Sequence, residues 1–384
     1  MLLAVALIVA AAPARALPPE IAPLEAALAR YQALAAAGGW PAVGAGPKLE
    51  LGSVDARVPA LRARLAATGD LARARAGAGP AFDAALDAAV RRFQARHGLL
   101  VDGIVGPRTQ AALDLPVGAR IGQLARNLAR LRARPPWPAG RFVLVHIAAF
   151  EAAAIDHGRE ALRMRAIVGR PSRPTPELSA RIDEVVFNPY WTVPPNIARL
   201  DIAPKVRADP GYLAARTIRV FADWSYGARE VDPATVDWTK PLRVRLRQDP
   251  GPGNALGRVK FLFPNDYGVY LHDTPERRLF ERPVRTFSSG CVRLARALEL
   301  AEWLLEGEPG WTPAATAAEL AAGRDRHVRL ADPVALVIVY LTAWTDGDGT
   351  VQFRDDHYRR DLGEVAAAPQ PCHIQPVDER GSAD

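Results

Sequence analysis

Cysteine is nearly absent from this 384-residue chain, which has only Cys291 and Cys372. Two cysteines exclude a disulfide framework and a Cys-rich zinc module. Cys372 lies in a Pro-containing tail and reads as incidental. Lysine is scarce too: Lys48, Lys205, Lys240 and Lys260 are the whole set, so the net charge of +7 is carried almost entirely by arginine. Arginine grips carboxylates with a two-pronged fork, which suits a polymer rich in carboxylates, although Ala- and Arg-rich usage also follows genome composition. There is no dense Lys/Arg stripe interleaved with aromatics, no zinc finger and no RNP motif, which argues against nucleic acid as a partner. None of the seven histidines forms a His-Glu-x-x-His pair, so neither a metal nor another cofactor is expected. Long hydrophobic runs are missing as well. The run 334–341 reads as a buried strand. Residues 2–12 are too few to span a bilayer, and with Ala14-Arg15-Ala16 they read as a secretory signal peptide over 1–16. The expectation is an exported chain with no transmembrane anchor.

The sequence does contain a thiol in a chemically suggestive setting. His272-Asp273-Thr274 is followed by Ser288-Ser289-Gly290-Cys291-Val292-Arg293, with His and Cys 19 positions apart. Residues 267–272 alternate, so Tyr270 and His272 share one face of a strand and Val269 and Leu271 the other. Pro275 and a charged run make 274–287 a loop. Apolar residues from Leu294 to Leu305 recur at helical spacing, which predicts a helix over about 294–306 with Cys291 just before its N-terminus. Such a position favours a thiolate, and Arg293 adds positive charge. Gly290 permits a tight turn, and the amides of 289–291 are candidate oxyanion donors. Taken singly, Cys291 would be a small buried hydrophobe and His272 a core hydrogen-bonding group. Together, the strand-borne His, the loop and the Ser-Ser-Gly-Cys turn point to acyl transfer through a thioester.

This segment resembles the signature of the L,D-transpeptidase (YkuD-like) catalytic family: a strand His followed by Ser-x-Gly-Cys-x-Arg. Phe187-Asn188-Pro189-Tyr190-Trp191-Thr192-Val193-Pro194-Pro195, Pro250-Gly251-Pro252-Gly253-Asn254-Ala255-Leu256-Gly257, Lys260-Phe261-Leu262-Phe263-Pro264-Asn265 and Tyr340-Leu341-Thr342-Ala343-Trp344 resemble its large periplasmic branch. The resemblance covers most of 47–361. It implies Cys291 as nucleophile, His272 as general base and acid, and the backbone carbonyl of Asp273 as the group orienting the imidazole. Gly290 then serves the oxyanion and the backbone turn, and Arg293 supports the site. Tyr270, Ser289, Asn265 and Trp191 are candidate substrate-binding residues. Implied further are peptidoglycan stem peptides as partners, 3→3 cross-links as product and carbapenems as acylating inhibitors of Cys291. The same Cys/His pair serves an L,D-carboxypeptidase or an enzyme that attaches or detaches wall proteins. A non-catalytic wall-binding scaffold is the remaining alternative. One departure is visible: Val145-His146-Ile147 stands where relatives have Val-Asn-Ile, which bears on strand packing.

The expected fold is α+β and multidomain: a small three-helix peptidoglycan-binding-like domain plus a mostly-β sandwich catalytic domain with an inserted capping subdomain. Residues 17–46 follow the signal, and 21–45 resemble the tail of a scaffold domain found in large relatives. Residues 47–116 carry three helical patterns, and Pro107 is suited to a first helical position. Their Phe93-Gln94, His97-Gly98-Leu99 and Asp102-Gly103-x-x-Gly106 resemble the peptidoglycan-binding domain. Helix-turn contacts explain His97 and Asp102 more simply than a metal does. Residues 117–139 are a linker helix closed by Pro135-Pro136-Trp137-Pro138. The catalytic domain is read over 140–345, with strands at 142–147, 161–168, 182–187, 259–263, 269–272 and 334–342. Its insertion at 196–250 is expected to cap the site, with Tyr212, Trp224, Tyr226 and Trp238 either stacking on sugar or peptide or, as is commoner, forming a local mini-core. In the loop 169–176, Arg170 and Arg173 are either clamps for a stem carboxylate or plain loop charges. Residues 346–384 are read as a tail.

Overall fold

Alternating and continuous apolar runs dictate most of the strands, and a computed structural model, which describes residues 18–225 and 227–362, shows how they pair. The expected signal segment, Tyr226 and Cys372 lie outside the described residues. The described residues divide into two units, one running from 18 to 137 together with 342–355, the other from 138 to 341 together with 356–362. The sequence-based boundary at 345/346 therefore differs from the structure. No helix among the described residues is long and apolar enough to cross a membrane.

The first unit is helical: α1 (Ile21–Ala36), α2 (Val58–Ala67), α3 (Ala84–Arg96), α4 (Pro107–Asp114) and α5 (Val117–Ala133). Asp83 caps α3 by accepting from the Leu86 amide, and Pro107 opens α4. Leu61, Leu65, Leu86, Val90 and Phe93 bury the facing stripes of α2 and α3. Gln94 holds the turn after α3 by donating to Asp102 Oδ1 and accepting from the Asp102 and Gly103 amides. His97 donates its Nδ1–H to the Phe93 carbonyl at 2.7 Å and stacks on the Phe93 ring. Those contacts occupy both supposed metal ligands, as the helix-turn reading expected.

The second unit is built on β1 (Arg141–His146), β2 (Glu151–Asp156), β3 (Arg159–Gly169), β4 (Leu178–Phe187), β8 (Val259–Leu262), β9 (Leu271–His272), β10 (Thr286–Ser288), β11 (Val292–Leu294) and β12 (Arg326–Val339). Their order is β10-β3-β11-β9-β8-β4-β12-β1-β2, and β2 also pairs with β3. The sandwich of the sequence reading is thus realised as one sheet that curls until it closes on itself, which removes the edges two separate sheets would leave. β2 escaped the sequence reading because Ala152, Ala153 and Ala154 carry no β-branched signal, yet all three are buried. His146 ends β1 and donates Nε2–H to the Leu341 carbonyl at 2.9 Å, so the departure from Val-Asn-Ile is indeed a matter of strand packing. α8 (Ala297–Leu304) and α9 (Pro313–Ala322) follow β11.

Between β4 and β8 lies the expected insertion. It holds β5 (Trp191–Thr192), α6 (Pro195–Ile197), a π-turn (Ala198–Ile202), α7 (Ala203–Ala208), β6 (Ile218–Phe221) and β7 (Arg245–Gln248). β7 lies between β5 and β6 in a separate sheet. Val193, Ile202, Val206, Leu213, Val220 and Leu246 form its own core, with Tyr212 and Trp238 packed on the margin; Trp224, also expected in the mini-core, is not part of it. In the first unit, β13 (Ala343–Thr345) and β14 (Val351–Phe353) form a hairpin.

Candidate active site

Two short strands of the closed sheet set the geometry. β9 and β11 run parallel with Leu271 opposite Val292 and His272 opposite Arg293. The period of two then places Tyr270 and His272 on the same face as Cys291 and Arg293. All four line one cavity of ≈ 310 Å³, which Trp191, Ser289 and Phe287 also line. Cys291 is half-buried, and among the described residues its sulfur forms no disulfide.

His272 is buried, and its Nδ1 meets the carbonyl oxygen of Asp273 at 2.5 Å. A carbonyl can only accept, so Nδ1 carries the proton and Nε2 keeps its lone pair. Burial, with the Arg293 charge second, pushes the imidazole pKa down to about 3; the bond to Asp273 opposes the shift. At neutral pH the ring is therefore an uncharged base. Asp273 is held in turn: its side chain accepts from the Arg258 amide and from Arg277 Nη1, each at 3.0 Å. Gly257, at φ +64°, makes room for it, since a Cβ there would lie 2.3 Å from Asp273 Oδ2.

The turn before Cys291 is braced from several sides. Ser288 Oγ donates to the Cys291 carbonyl at 2.5 Å and accepts from the Gly290 amide at 3.1 Å. That bond removes the Gly290 amide from the oxyanion donors expected at 289–291. Gly290 has φ +118°, a conformation L side chains rarely adopt. Its carbonyl accepts from Thr175 Oγ1 at 2.8 Å, and that hydroxyl accepts from the Gly169 amide at 2.8 Å. Tyr358 OH donates to the Gly169 carbonyl and accepts from the Thr175 amide. Thr175 and Tyr358 sit far from Cys291 in sequence and carry no motif, so sequence reasoning missed both.

The helix expected at Cys291 is displaced. Cys291 precedes strand β11, and α8 begins only at Ala297. The apolar periodicity from Leu294 onward is real, but Val292–Leu294 pair between β3 and β9 before the helix can start. A helix dipole therefore does not serve the thiol, and Arg293 is the positive group beside it. Arg293 pairs with Glu276.

Arg173 Nη1 bonds Asp201 Oδ2 at 2.5 Å and Ser289 Oγ at 2.9 Å, while Arg170 lies 3.6 Å from Asp201 Oδ1. Asp201 belongs to the π-turn of the insertion and is the carboxylate that both loop arginines face. Asn265 lies off the cavity. Its side chain bonds the carbonyls of Phe263 and Val269 and the amides of Tyr267 and Val269, which closes the turn before β9. Asp273 and Gly290 likewise do not line the cavity. No group of His, Cys, Asp and Glu able to hold a metal ion occurs among the described residues.

Residues 140–312 match the family model described as the L,D-transpeptidase catalytic domain, and residues 54–113 match the one described as "Putative peptidoglycan binding domain". A protein of Haemophilus influenzae named "Putative L,D-transpeptidase" is 35% identical over 236 residues, covering 61% of this chain and 47% of that protein. The N-acetylmuramoyl-L-alanine amidase CwlM of Mycobacterium tuberculosis is 48% identical over 75 residues, 18% of each chain. The chain thus spans less than half the length of either curated relative. A crystal structure of the L,D-transpeptidase (residues 123–326) from Xylanimonas cellulosilytica aligns with a TM-score of 0.24 at 18% identity, over 77% of this chain and 99% of that one. An overlay of that quality adds nothing to the assignment.

Proposed function

We propose that the chain, whose residues 140–312 match the L,D-transpeptidase catalytic family, is a cysteine-dependent peptidoglycan L,D-transpeptidase that forms 3→3 cross-links. Cys291 Sγ attacks the amide carbonyl of the third residue of a tetrapeptide stem. His272 Nε2 takes the thiol proton as the C–S bond forms, then delivers it to the amine of the departing D-Ala as the C–N bond breaks. An amine of a neighbouring stem attacks the thioester, gives its proton to His272, and the thiol is restored. A base held uncharged by burial suits proton transfer during attack better than a standing thiolate–imidazolium pair. The observation that carries this reading is that Cys291 and His272 line the same cavity, with His272 Nδ1 tied to a backbone carbonyl.

A polymer outside the cytoplasm is the substrate, so the chain works in the periplasm, exported by the apolar N-terminal segment. The domain at 54–113 keeps the catalyst on the wall. The insertion over the cavity limits water, which would otherwise divert the thioester to hydrolysis.

Incubation of the full chain with disaccharide tetrapeptide, followed by mass spectrometry, tests the proposal. A dimer lighter by one D-Ala is expected. A tripeptide alone means water is the acceptor and the enzyme an L,D-carboxypeptidase. An unchanged substrate with folded protein leaves a wall-binding scaffold. Covalent uptake of a carbapenem is expected in the native chain and absent in Cys291→Ala; uptake that survives this substitution overturns the nucleophile.

A further inference from the structure

The cationic side chains of the cavity fall into two groups. Arg170 faces Asp201, and Arg293 pairs with Glu276. Lys205 of α7 and Arg216, just ahead of β6, line the same cavity on the side of the insertion. Among the described residues neither forms an ion pair with a carboxylate. Both are organised around one ring instead. The Arg216 guanidinium lies 4.0 Å from the centroid of Tyr212, and Lys205 Nζ lies 5.4 Å from it and 3.4 Å from the Tyr212 hydroxyl. The backbone beneath is pinned: buried Gln248 donates Nε2–H to the Arg216 carbonyl at 2.9 Å and to the Gly253 carbonyl at 3.0 Å, and it lines the cavity too. Both side chains are exposed on the same cavity wall, so an anion bound there would be attracted by both.

We infer that Lys205 and Arg216 form a carboxylate subsite on the insertion, which recognises a peptide carboxylate of the donor away from the amide that Cys291 attacks. The inference rests on the proposed acyl-transfer reading and extends it to donor choice. Tyr212 preorganises the arginine fork by stacking, so the fork takes a carboxylate with both prongs while Lys205 adds a point charge. Arg170 and Arg173 both sit beside the Asp201 carboxylate, whereas among the described residues no carboxylate pairs with Lys205 or Arg216. Donors whose carboxylates are amidated would lose the interaction.

Binding to Cys291→Ala protein separates this subsite from catalysis, since no turnover is needed. Two donor tetrapeptides are compared that differ only in free carboxylates versus carboxamides. The free acid is expected to bind about tenfold tighter, the scale of one charge-assisted hydrogen bond. The preference should shrink as salt rises toward about 1 M, where the screening length falls to about 3 Å. Adding Lys205→Gln and Arg216→Gln to the same protein should bring the ratio of the two affinities to about one. Equal affinities in the parent, no binding of either donor, a salt-independent ratio, or a ratio that survives both substitutions overturns the subsite. The salt titration needs no surface variant, so it holds even if the double variant misfolds. Failure of native protein to form an acyl-enzyme is a separate result that bears on the reaction and leaves the affinity ratio standing.

Discussion

His272 and His327 are shifted in opposite directions, and each shift carries a stability consequence. Burial holds His272 at about 3, below its unfolded value near 6.5. Between those values the unfolded chain binds the extra proton, so stability falls as pH drops through that window. The limiting slope for one proton is about 1.4 kcal/mol per pH unit. His327 lies between Asp325 and Glu184, whose hydrogen bonds raise it to about 9. Its contribution is complete below about 6.5 and is lost as pH rises through about 9. Chemical denaturation across pH should therefore give a profile that declines at both ends. His272→Gln should flatten the acid side and His327→Gln the alkaline side; an acid slope unchanged in His272→Gln would contradict the buried neutral imidazole. The His and Cys were legible at this scale because their chemistry is rare and their spacing specific. Gly257 was not: nothing in Leu256-Gly257-Arg258 announces that Asp273 will sit against that Cα.

At the scale of elements, the insertion and the nucleophile turn share one arginine. Arg173 lies between Asp201 of the π-turn and Ser289, two residues before Cys291. Asp201→Asn keeps the shape but weakens the charge-assisted bond, loosening Arg173 and with it the turn. Acylation of Cys291 by a carbapenem, followed by stopped-flow absorbance, should slow about tenfold, which matches about 1.4 kcal/mol of lost positioning. A melting temperature near that of the native chain would assign the loss to positioning, and an unchanged rate would refute the coupling. The periodicity after Cys291 predicted a helix correctly but began it too early. Residues 292–294 satisfy a helical apolar pattern and a strand equally well, and pairing with β3 and β9 decided between them. The strand reading over 269–272 was too long for the same reason: only Leu271 and His272 have partners in the ladder.

At the scale of the whole molecule, chain order and spatial order part company after β12. The hairpin β13–β14 belongs with the helical unit. Asn127 of α5 is fully buried, donates to Thr342 Oγ1 at 2.7 Å and accepts from the Thr342 amide at 2.8 Å. Gln123 donates to the carbonyls of Thr342 and Arg354. Asn127→Ala leaves that backbone amide buried without its acceptor and should cost about 2 kcal/mol by denaturant titration. A loss under about 0.5 kcal/mol would mean that the hairpin does not depend on α5. The hydrophobic run 334–341 was visible as a strand, but the return of 342–355 to the helices rests on hydrogen bonds between residues more than 200 positions apart, beyond the reach of any local pattern.

The amino-acid order by itself determined the chemistry on offer: one thiol in a Ser-Ser-Gly-Cys turn, one histidine on an alternating strand, three small helical patterns ahead of them, and an aromatic insertion able to form its own core. Such features depend on residue type and short-range period, which are properties of the chain before it folds. Tertiary structure decided what those residues face. The closed sheet set β9 beside β11, burial kept His272 neutral, Asp201 drew both loop arginines, and Lys205 and Arg216 were left on the cavity wall with no carboxylate partner among the described residues. Each of these outcomes depends on distance and desolvation, and both exist only once remote segments have packed together.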